Sequence, residues 1–367
     1  MLKTMKMKKS ISGTILLLLG ANAVMFAQDP LAGFTIQRDL AKIEASLSTA
    51  GKALLASEKR DYDRLKTKSY MFGPNRCMNY PLSSLASLIA EDMSPTLIKK
   101  NNESNLAKLP TLKREFEAKG IRWNPAWLID LRTIDWGKIL MGASGCTLNT
   151  SILSPVKDQG ACGSCWSFAA GAVYEHGYKL TFGGVKDISE QDILSCGINC
   201  SSDNAGSCSG GWEFRALDYM LCTGVASEAV YPYTNAGSTT EAACLSKAKS
   251  SSLAGWIRIG ESYPSDDIVK CAIATYGAVT TAVYARGWSG YGGGVMDAYP
   301  NGSPELVSST GATINHAVTI VGWCDAKGAW IVKNSWGADW GPHRGYCYVK
   351  YGHYNINNRV YAALPNP

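Results

Sequence analysis

A two-lobed α+β architecture behind an N-terminal helical segment is what this chain predicts, and three observations carry it. Apolar residues recur at helical spacing through the N-terminal part. Strand-like runs collect after Ala278. The two patterns follow one another instead of alternating. Helices first and strands later favour separately packed layers over βαβ units. The chain contains no internal repeat.

The first residues read as an export signal. Lys3, Lys6, Lys8 and Lys9 precede a short apolar run from Ile15 to Leu19, and Met25-Phe26-Ala27 follows. This is the layout of a secretory signal over residues 1–27, cut after Ala27. The run is too short for a permanent membrane anchor. No cysteine follows the cut, so a lipid anchor is not indicated, and the expected location is secreted or periplasmic.

Residues 28–127 read as a helical unit. Ile36, Leu40, Ile43 and Leu47, then Leu54, Leu55, Tyr62 and Leu65, give one or two amphipathic helices. Phe72-Gly73-Pro74-Asn75 ends them. Leu82, Leu85, Leu88 and Ile89 predict a short helix, and Thr111 to Lys119 another, opened by Pro110 and closed by Gly120. Ser94–Ser104 is polar and reads as loop. The unit holds no cluster of catalytic residue types, so it is either a free-standing helical domain or a pro-segment.

From residue 128 to 367 the texture changes. Helices are expected after Cys165, over 211–222 and over Asp266–Tyr276, capped by Ser265 or Asp266. Strands are expected over 278–285, 317–324, 329–333 and 345–351, with a long Gly/Ser/Pro-rich loop from Arg286 to Asn315. The composition is globular, 46% apolar and 18% charged, with a net charge of +6. No long basic stripe marks a nucleic-acid partner. The 18 tyrosines and 11 tryptophans suit a core or an apolar groove. Twelve cysteines in an exported chain point to disulfides.

Chemistry gathers at Gln159-Gly-Ala-Cys162-Gly-Ser-Cys165-Trp-Ser-Phe168. Trp166, Phe168, Ala169, Ala172, Val173 and Tyr174 then follow a helical face, which puts Cys165 at a helix N-terminus. Unpaired N–H groups there favour an anion and hence a nucleophilic thiolate. If Cys165 is free, eleven cysteines remain, so at least one more is unpaired within the chain. A thiol nucleophile needs a base and a group that orients the base. His176 lies about three helical turns beyond Cys165 and cannot reach it. His343 and His353 stand in polar, glycine-rich surroundings. His316 opens the apolar strand Ala317-Val-Thr-Ile-Val-Gly322, where a rigid element can aim an imidazole. Asn334 follows the strand Trp330-Ile-Val-Lys and can accept the imidazole N–H, with Trp336 shielding that bond. Gln159 offers an amide donor, and Cys165 its backbone N–H, to a developing oxyanion.

These blocks resemble the papain-like cysteine proteases: Gln159-Gly-x-Cys162-Gly-Ser-Cys165-Trp166, Asn315-His316-Ala317 and Asn334-Ser335-Trp336-Gly337 stand in the family's order. Cys208-Ser-Gly-Gly211, Tyr231-Pro-Tyr233 and Gly337-x-x-Trp340-Gly341 extend the likeness over about residues 128–363. Ile129-Asp-Leu-Arg132 is similar to the mature start of bacterial members. The resemblance implies a helical left lobe carrying Cys165 and a β-rich right lobe carrying His316 and Asn334. It also implies an acyl-enzyme route for peptide hydrolysis, acting on proteins or peptides without cofactor or metal. The resting pair is then thiolate and imidazolium, with the thiol pKa lowered to roughly 3–4. Gly210 and Gly211 are expected to bind the substrate backbone. Trp212, Ile314 and Ala317 are expected to line the pocket for the residue second before the cut, giving an apolar preference. The implied disulfides are Cys162–Cys208 and Cys196–Cys244. Cys324–Cys347 and Cys200–Cys222 are further candidates, and Cys77, Cys146 and Cys271 stay unassigned. A monomer is expected.

Two departures stand out. The stretch between Trp136 and Gln159 is longer than in papain, and the N-terminal unit lacks the usual inhibitory pattern of charges and aromatics. Its role as an intramolecular inhibitor rests on its position ahead of an exported protease. No paired-His occluding loop lies between Cys196 and Cys208. A thiol–disulfide oxidoreductase built on Cys162-Gly-Ser-Cys165 leaves His316, Asn334 and Gln159 idle. A catalytically dead binding protein leaves a full set of catalytic residue types unexplained. A zinc site lacks a second C-x-x-C.

Overall fold

The computed structural model describes residues 25–26, 29–66, 68–89, 94–121, 123–124, 127, 145–198, 202–260 and 262–367. The signal stretch before Met25, the Ile129–Arg132 segment and the boundary at 128 lie outside the described residues. Eight α-helices are described: α1 Leu40–Ala45, α2 Thr49–Asp63, α3 Leu82–Leu85, α4 Pro95–Ala118, α5 Cys165–Phe182, α6 Glu190–Cys196, α7 Glu213–Cys222 and α8 Asp266–Tyr276. The strands are β1 Met25–Phe26, β2 Tyr70–Phe72, β3 Cys146–Leu148, β4 Gly206–Ser207, β5 Gly210–Gly211, β6 Leu253–Arg258, β7 Val279–Val283, β8 Tyr291–Met296, β9 His316–Cys324, β10 Ala329–Lys333, β11 Tyr346–Lys350 and β12 Asn358–Pro365.

Strands β2-β8-β11-β10-β9-β7-β12-β6 hydrogen-bond in that order, with β3 on one end of β9 and β1 on β3. Only the β8–β11 pair is parallel in this sheet of described strands. β9 is central and buried along its whole length, so it reads as one continuous apolar run. Two apolar clusters divide the core. One gathers α5, α6 and α7 around Trp166, Val173, Ile193 and Leu217; the other gathers α8 and the sheet around Ile273, Val318, Trp330 and Val349. Among the described residues no helix is long and apolar enough to cross a membrane.

Helix α5 is apolar on nearly every side and therefore sits inside the molecule. Gly183 ends it in the left-handed region at φ 77°, returning its N–H to the Lys179 carbonyl. Ser48 caps α2 by accepting the Gly51 N–H, and Ser189 caps α6 by accepting the Asp192 N–H.

Several sequence expectations need correction. Ser94–Ser104 is the first half of α4, not a loop. Ser94 caps it, Pro95 fits its first turn, and Asn102 and Asn105 bond the backbone of β6. Pro110 lies inside α4; tertiary contacts hold the helix through the hydrogen bond that proline deletes. The Arg286–Asn315 loop contains β8. Its glycines let another backbone come close: a Cβ at Gly292 would stand 2.9 Å from the Met71 carbonyl of β2. The helix expected through Ile89 stops at Leu85, and residues 87–89 run extended.

Cys162–Cys208 and Cys196–Cys244 are joined in the structure. Cys324–Cys347 is not formed. β10 lies between β9 and β11, whereas β3 sets Cys146 directly opposite Cys324, and these two are bonded. Cys222 is disulfide-bonded; its expected partner, Cys200, lies outside the described residues. Cys77, Cys165, Cys271 and Cys347 are free and buried.

Candidate active site

Cys165 is the first residue of α5 and has no exposed surface. The backbone N–H groups of Ala317, on β9, and of Ser87 reach toward its sulfur. β9 therefore delivers His316 to the same place as the start of α5. The His316 Nε2–H donates to Asn334 Oδ1 at 2.8 Å, and that oxygen also accepts the Ser335 N–H at 2.9 Å. With Nε2 so engaged, Nδ1 carries the ring's free lone pair, and it is buried without a hydrogen bond. Trp336 stacks on the imidazole at 4.8 Å between centroids, and Trp288 meets its edge at 6.1 Å. The indole thus covers the side of the His–Asn pair. His176, His343 and His353 bond elsewhere, to Ser154, Thr35 and the Tyr351 carbonyl.

Gln159 is fixed by Ser335, a residue sequence reasoning passed over although it stands between Asn334 and Trp336. Ser335 Oγ donates to Gln159 Oε1 at 2.7 Å, and the Ser335 carbonyl accepts the Gln159 N–H at 2.8 Å. Nearby, half-buried Lys157 joins Glu175 at 3.1 Å and Glu190 at 2.9 Å, tying the chain before Gln159 to α5 and α6. Lys333, next to Asn334, is buried and donates to Ser154 Oγ at 2.7 Å. These ion pairs and bonds hold the parts of the site in register; none of them touches Cys165.

The cleft is filled by the chain's own residues 84–89. Gln159 Nε2 donates to the Ser84 carbonyl at 2.8 Å, and Trp336 Nε1 to the Leu85 carbonyl at 3.1 Å. Ser87 lies on Cys165. Leu88 N–H donates to the Asn315 carbonyl at 2.7 Å, Ile89 N–H to the Gly211 carbonyl at 3.1 Å, and Arg359 to the Ile89 carbonyl at 2.7 Å. Leu88 is buried in the cluster that holds Ile314 and Ala317, with Trp212 packed against it. Trp212 itself lies under the Arg215 guanidinium at 4.0 Å. Gly210 is glycine for a visible reason: a Cβ there would collide with the Ser87 carbonyl.

This filling sets the charge state. Burial pushes the Cys165 thiol up to about 11, against the lowering effect of the Ala317 and Ser87 N–H groups. Burial also pulls His316 down to about 4, partly offset by its bond to Asn334. Burial thus works against the thiolate–imidazolium pair expected from the sequence and favours thiol and neutral imidazole in this closed form. Desolvation outweighs the helix N-terminus because the covering segment excludes the water that would share the charge.

The papain family cysteine protease family matches residues 144–364. A cathepsin L-like proteinase of Phaedon cochleariae is 32% identical over 192 residues, 52% of this chain and 55% of that protein. A cysteine protease of Blomia tropicalis is 34% identical over 219 residues, 58% of this chain and 63% of that protein. The chain thus spans less than two thirds of the length of these relatives. Among solved structures, digestive procathepsin L2 proteinase from the larval midgut of Tenebrio molitor superposes with a TM-score of 0.59 at 25% identity, over 91% of this chain and 96% of that one.

Proposed function

The chain belongs to the papain family of cysteine proteases, and on that premise we propose that it is an exported cysteine endopeptidase made as a self-blocked zymogen. The observation that carries the reading is Cys165 at a helix start beside the His316–Asn334 bond, with an apolar-lined cleft running past it. In the open enzyme Cys165 attacks the scissile carbonyl, and His316 Nδ1 takes the thiol proton and passes it to the leaving amine. Asn334 holds the ring. Gln159 and the Cys165 N–H bind the oxyanion. Water then hydrolyses the acyl-enzyme with His316 as base. Gly210 and Gly211 take the substrate backbone, and the Leu88 pocket at Ile314, Ala317 and Trp212 takes an apolar side chain. The C-x-x-C redox reading finds no support, since Cys162 is tied to Cys208.

In this reading residues 28–127 precede a peptidase domain over 128–367, and Ser84–Ile89 is the inhibitor. Its direction explains its survival. A substrate's acyl half lies at Gly210–Gly211 and its leaving half toward Trp336. Residues 84–89 run the other way, with Leu88 bridged in parallel to Gly211. The sulfur then faces the Ser87 N–H while the Ser87 carbonyl points to Gly210, so the Ser87 carbonyl is turned away from attack. Export suits the disulfides, which persist in oxidising compartments. A bacterial origin rests on Ile129–Arg132 alone, whereas the relatives named above are eukaryotic. The test is hydrolysis of a peptide with an apolar residue second before the cut, after the N-terminal segment has been cleaved by an added protease. E-64-sensitive turnover is expected; none would refute the reading.

Two further outcomes follow. Asn334→Ala leaves the buried His316 Nε2–H unpartnered, a loss of about 1.5–3 kcal/mol. Steady-state kinetics of the opened variant should show kcat reduced roughly 10- to 100-fold, with KM little changed. The second outcome concerns Glu58 on α2, which is half-buried against the right lobe. It accepts from Ser289 Oγ and the Gly290 N–H, with Asp61, itself paired to Arg286 at 2.9 Å, beside it. Burial raises Glu58 to about 7, with Asp61 adding to the rise and Ser289, Gly290 and Arg286 opposing it. The docked segment therefore holds a proton that the released one gives up. This contribution to docking is full below the ordinary carboxyl range and is lost as pH rises through about 7. In Glu58→Gln that part of the pH dependence disappears, measured as the rate of cleft opening against pH.

A further inference from the structure

Opening the cleft requires only that residues 84–89 leave, yet the described residues from 95 to 127 are built into the body of the enzyme. Helix α4 lies along β6, the last strand of the sheet. Asn102 treats that edge as a neighbouring strand would: its Oδ1 accepts the Arg258 N–H at 3.0 Å, and its Nδ2 donates to the Arg258 carbonyl at 2.8 Å. One turn on, buried Asn105 donates to the Trp256 carbonyl at 2.7 Å. The opposite edge of β6 is already paired to β12, at Tyr361↔Arg258 and Ala363↔Trp256. The two asparagines therefore satisfy the backbone groups that a terminal strand leaves open.

The apolar contacts agree. Leu109, Phe116, Trp123 and Trp127 are all buried and share one cluster with Ile257, Ile273 and Tyr276 of β6 and α8. Phe116 meets Phe182 at the end of α5, and Trp123 packs edge-on against Trp127 at 5.3 Å. Asn124 donates to the Thr275 carbonyl of α8 at 3.0 Å. Among the described residues, no hydrogen bond from this stretch reaches Cys165, His316, Gln159 or Gly211. Residues 29–66 and 68–89 supply the groups that block the cleft; besides a small core of their own at Leu47, Leu55 and Met78, they meet the sheet through the β2–β8 pair.

We propose that β6 and α8 form a permanent docking surface for residues 95–127, which stay with the active enzyme, and that the detachable inhibitor ends between Ile89 and Pro95 instead of near residue 128. Loss of 95–127 would bare a sheet edge and an apolar face of the right lobe together, which a stable secreted enzyme cannot expose without aggregating. The proposal rests on the peptidase reading for its biological sense, but its test does not depend on activity.

Full-length protein is nicked by limited proteolysis, and the soluble species is isolated by gel filtration. Its N-terminus and intact mass are read with and without E-64. Residues 95–127 are expected in that species, as the start of the main chain or as a co-eluting fragment. A stable species beginning near 128 and free of 95–127 overturns the proposal. Failure to take up E-64 counts against the peptidase reading alone, because the mass still reports retention. A second arm uses Asn105→Ala and Phe116→Ala in the full chain. If the stretch is retained, the nicked variants melt about 5–10 °C below the nicked parent. If it departs, parent and variants yield the same chain and the same midpoint, which also overturns the proposal.

Discussion

Cys165→Ala abolishes peptide hydrolysis in the opened enzyme, by roughly 10⁶-fold, the scale seen when an acyl-transfer triad loses its nucleophile. The loss is in kcat, because no side chain lining the cleft replaces the thiol as a covalent acceptor. The variant keeps its fold: alanine removes one buried sulfur from the start of α5 and leaves the apolar helix around it intact. Initial rates on a fluorogenic peptide measure the effect, with far-ultraviolet circular dichroism as the folding control. Turnover within tenfold of the parent would remove Cys165 from the mechanism.

Leu88→Glu is expected to open the intact chain. Leu88 is 6% exposed, packed among Ile314 and Ala317. Glutamate there must bury an unpaired carboxylate, and the closed state loses the leucine contacts as well. A penalty of about 3 kcal/mol raises the open fraction roughly 100-fold, at about 1.4 kcal/mol per decade. Unprocessed Leu88→Glu should therefore hydrolyse peptide about 100 times faster than the unprocessed parent. Leu88→Met keeps volume and polarity and should stay near the parent rate. An intact Leu88→Glu chain as silent as the parent would mean that Leu88 does not hold the segment in place.

Local chemistry made much of this legible in the sequence. The start of α5 followed from small residues before an apolar helical face, and β9 and β10 from short unbroken apolar runs. The helix over Asp266–Tyr276 and the strand over 329–333 lie where periodicity put them. The missed parts are those decided by distant partners. Ser94-Pro95 is a helix-start signal that the polar character of Ser94–Ser104 masked, and what fixes the helix beyond it is the open edge of β6, some 150 residues on. The glycines of Tyr291–Met296 read as a loop until β2 is laid against them. Cys146 finds Cys324 only because β3 pairs with β9. At the site, residue types and spacing pointed to Cys165, His316, Asn334 and Gln159. The burial that favours a neutral pair was not legible, since it depends on which segment covers the thiol. Ser335 was overlooked because its role is to hold Gln159, which lies far from it in the chain.

The central claim is that residues 84–89 lie across Cys165 in a direction that blocks it without being cut. Its most direct test is covalent labelling of the thiol by E-64 in the intact, unprocessed chain, followed by intact mass and peptide mapping at pH 6. The parent should remain unlabelled at Cys165 while intact Leu88→Glu, and the parent after removal of residues up to Ile89, are labelled to completion. Equal labelling of Cys165 in the intact parent and the opened forms would contradict the account.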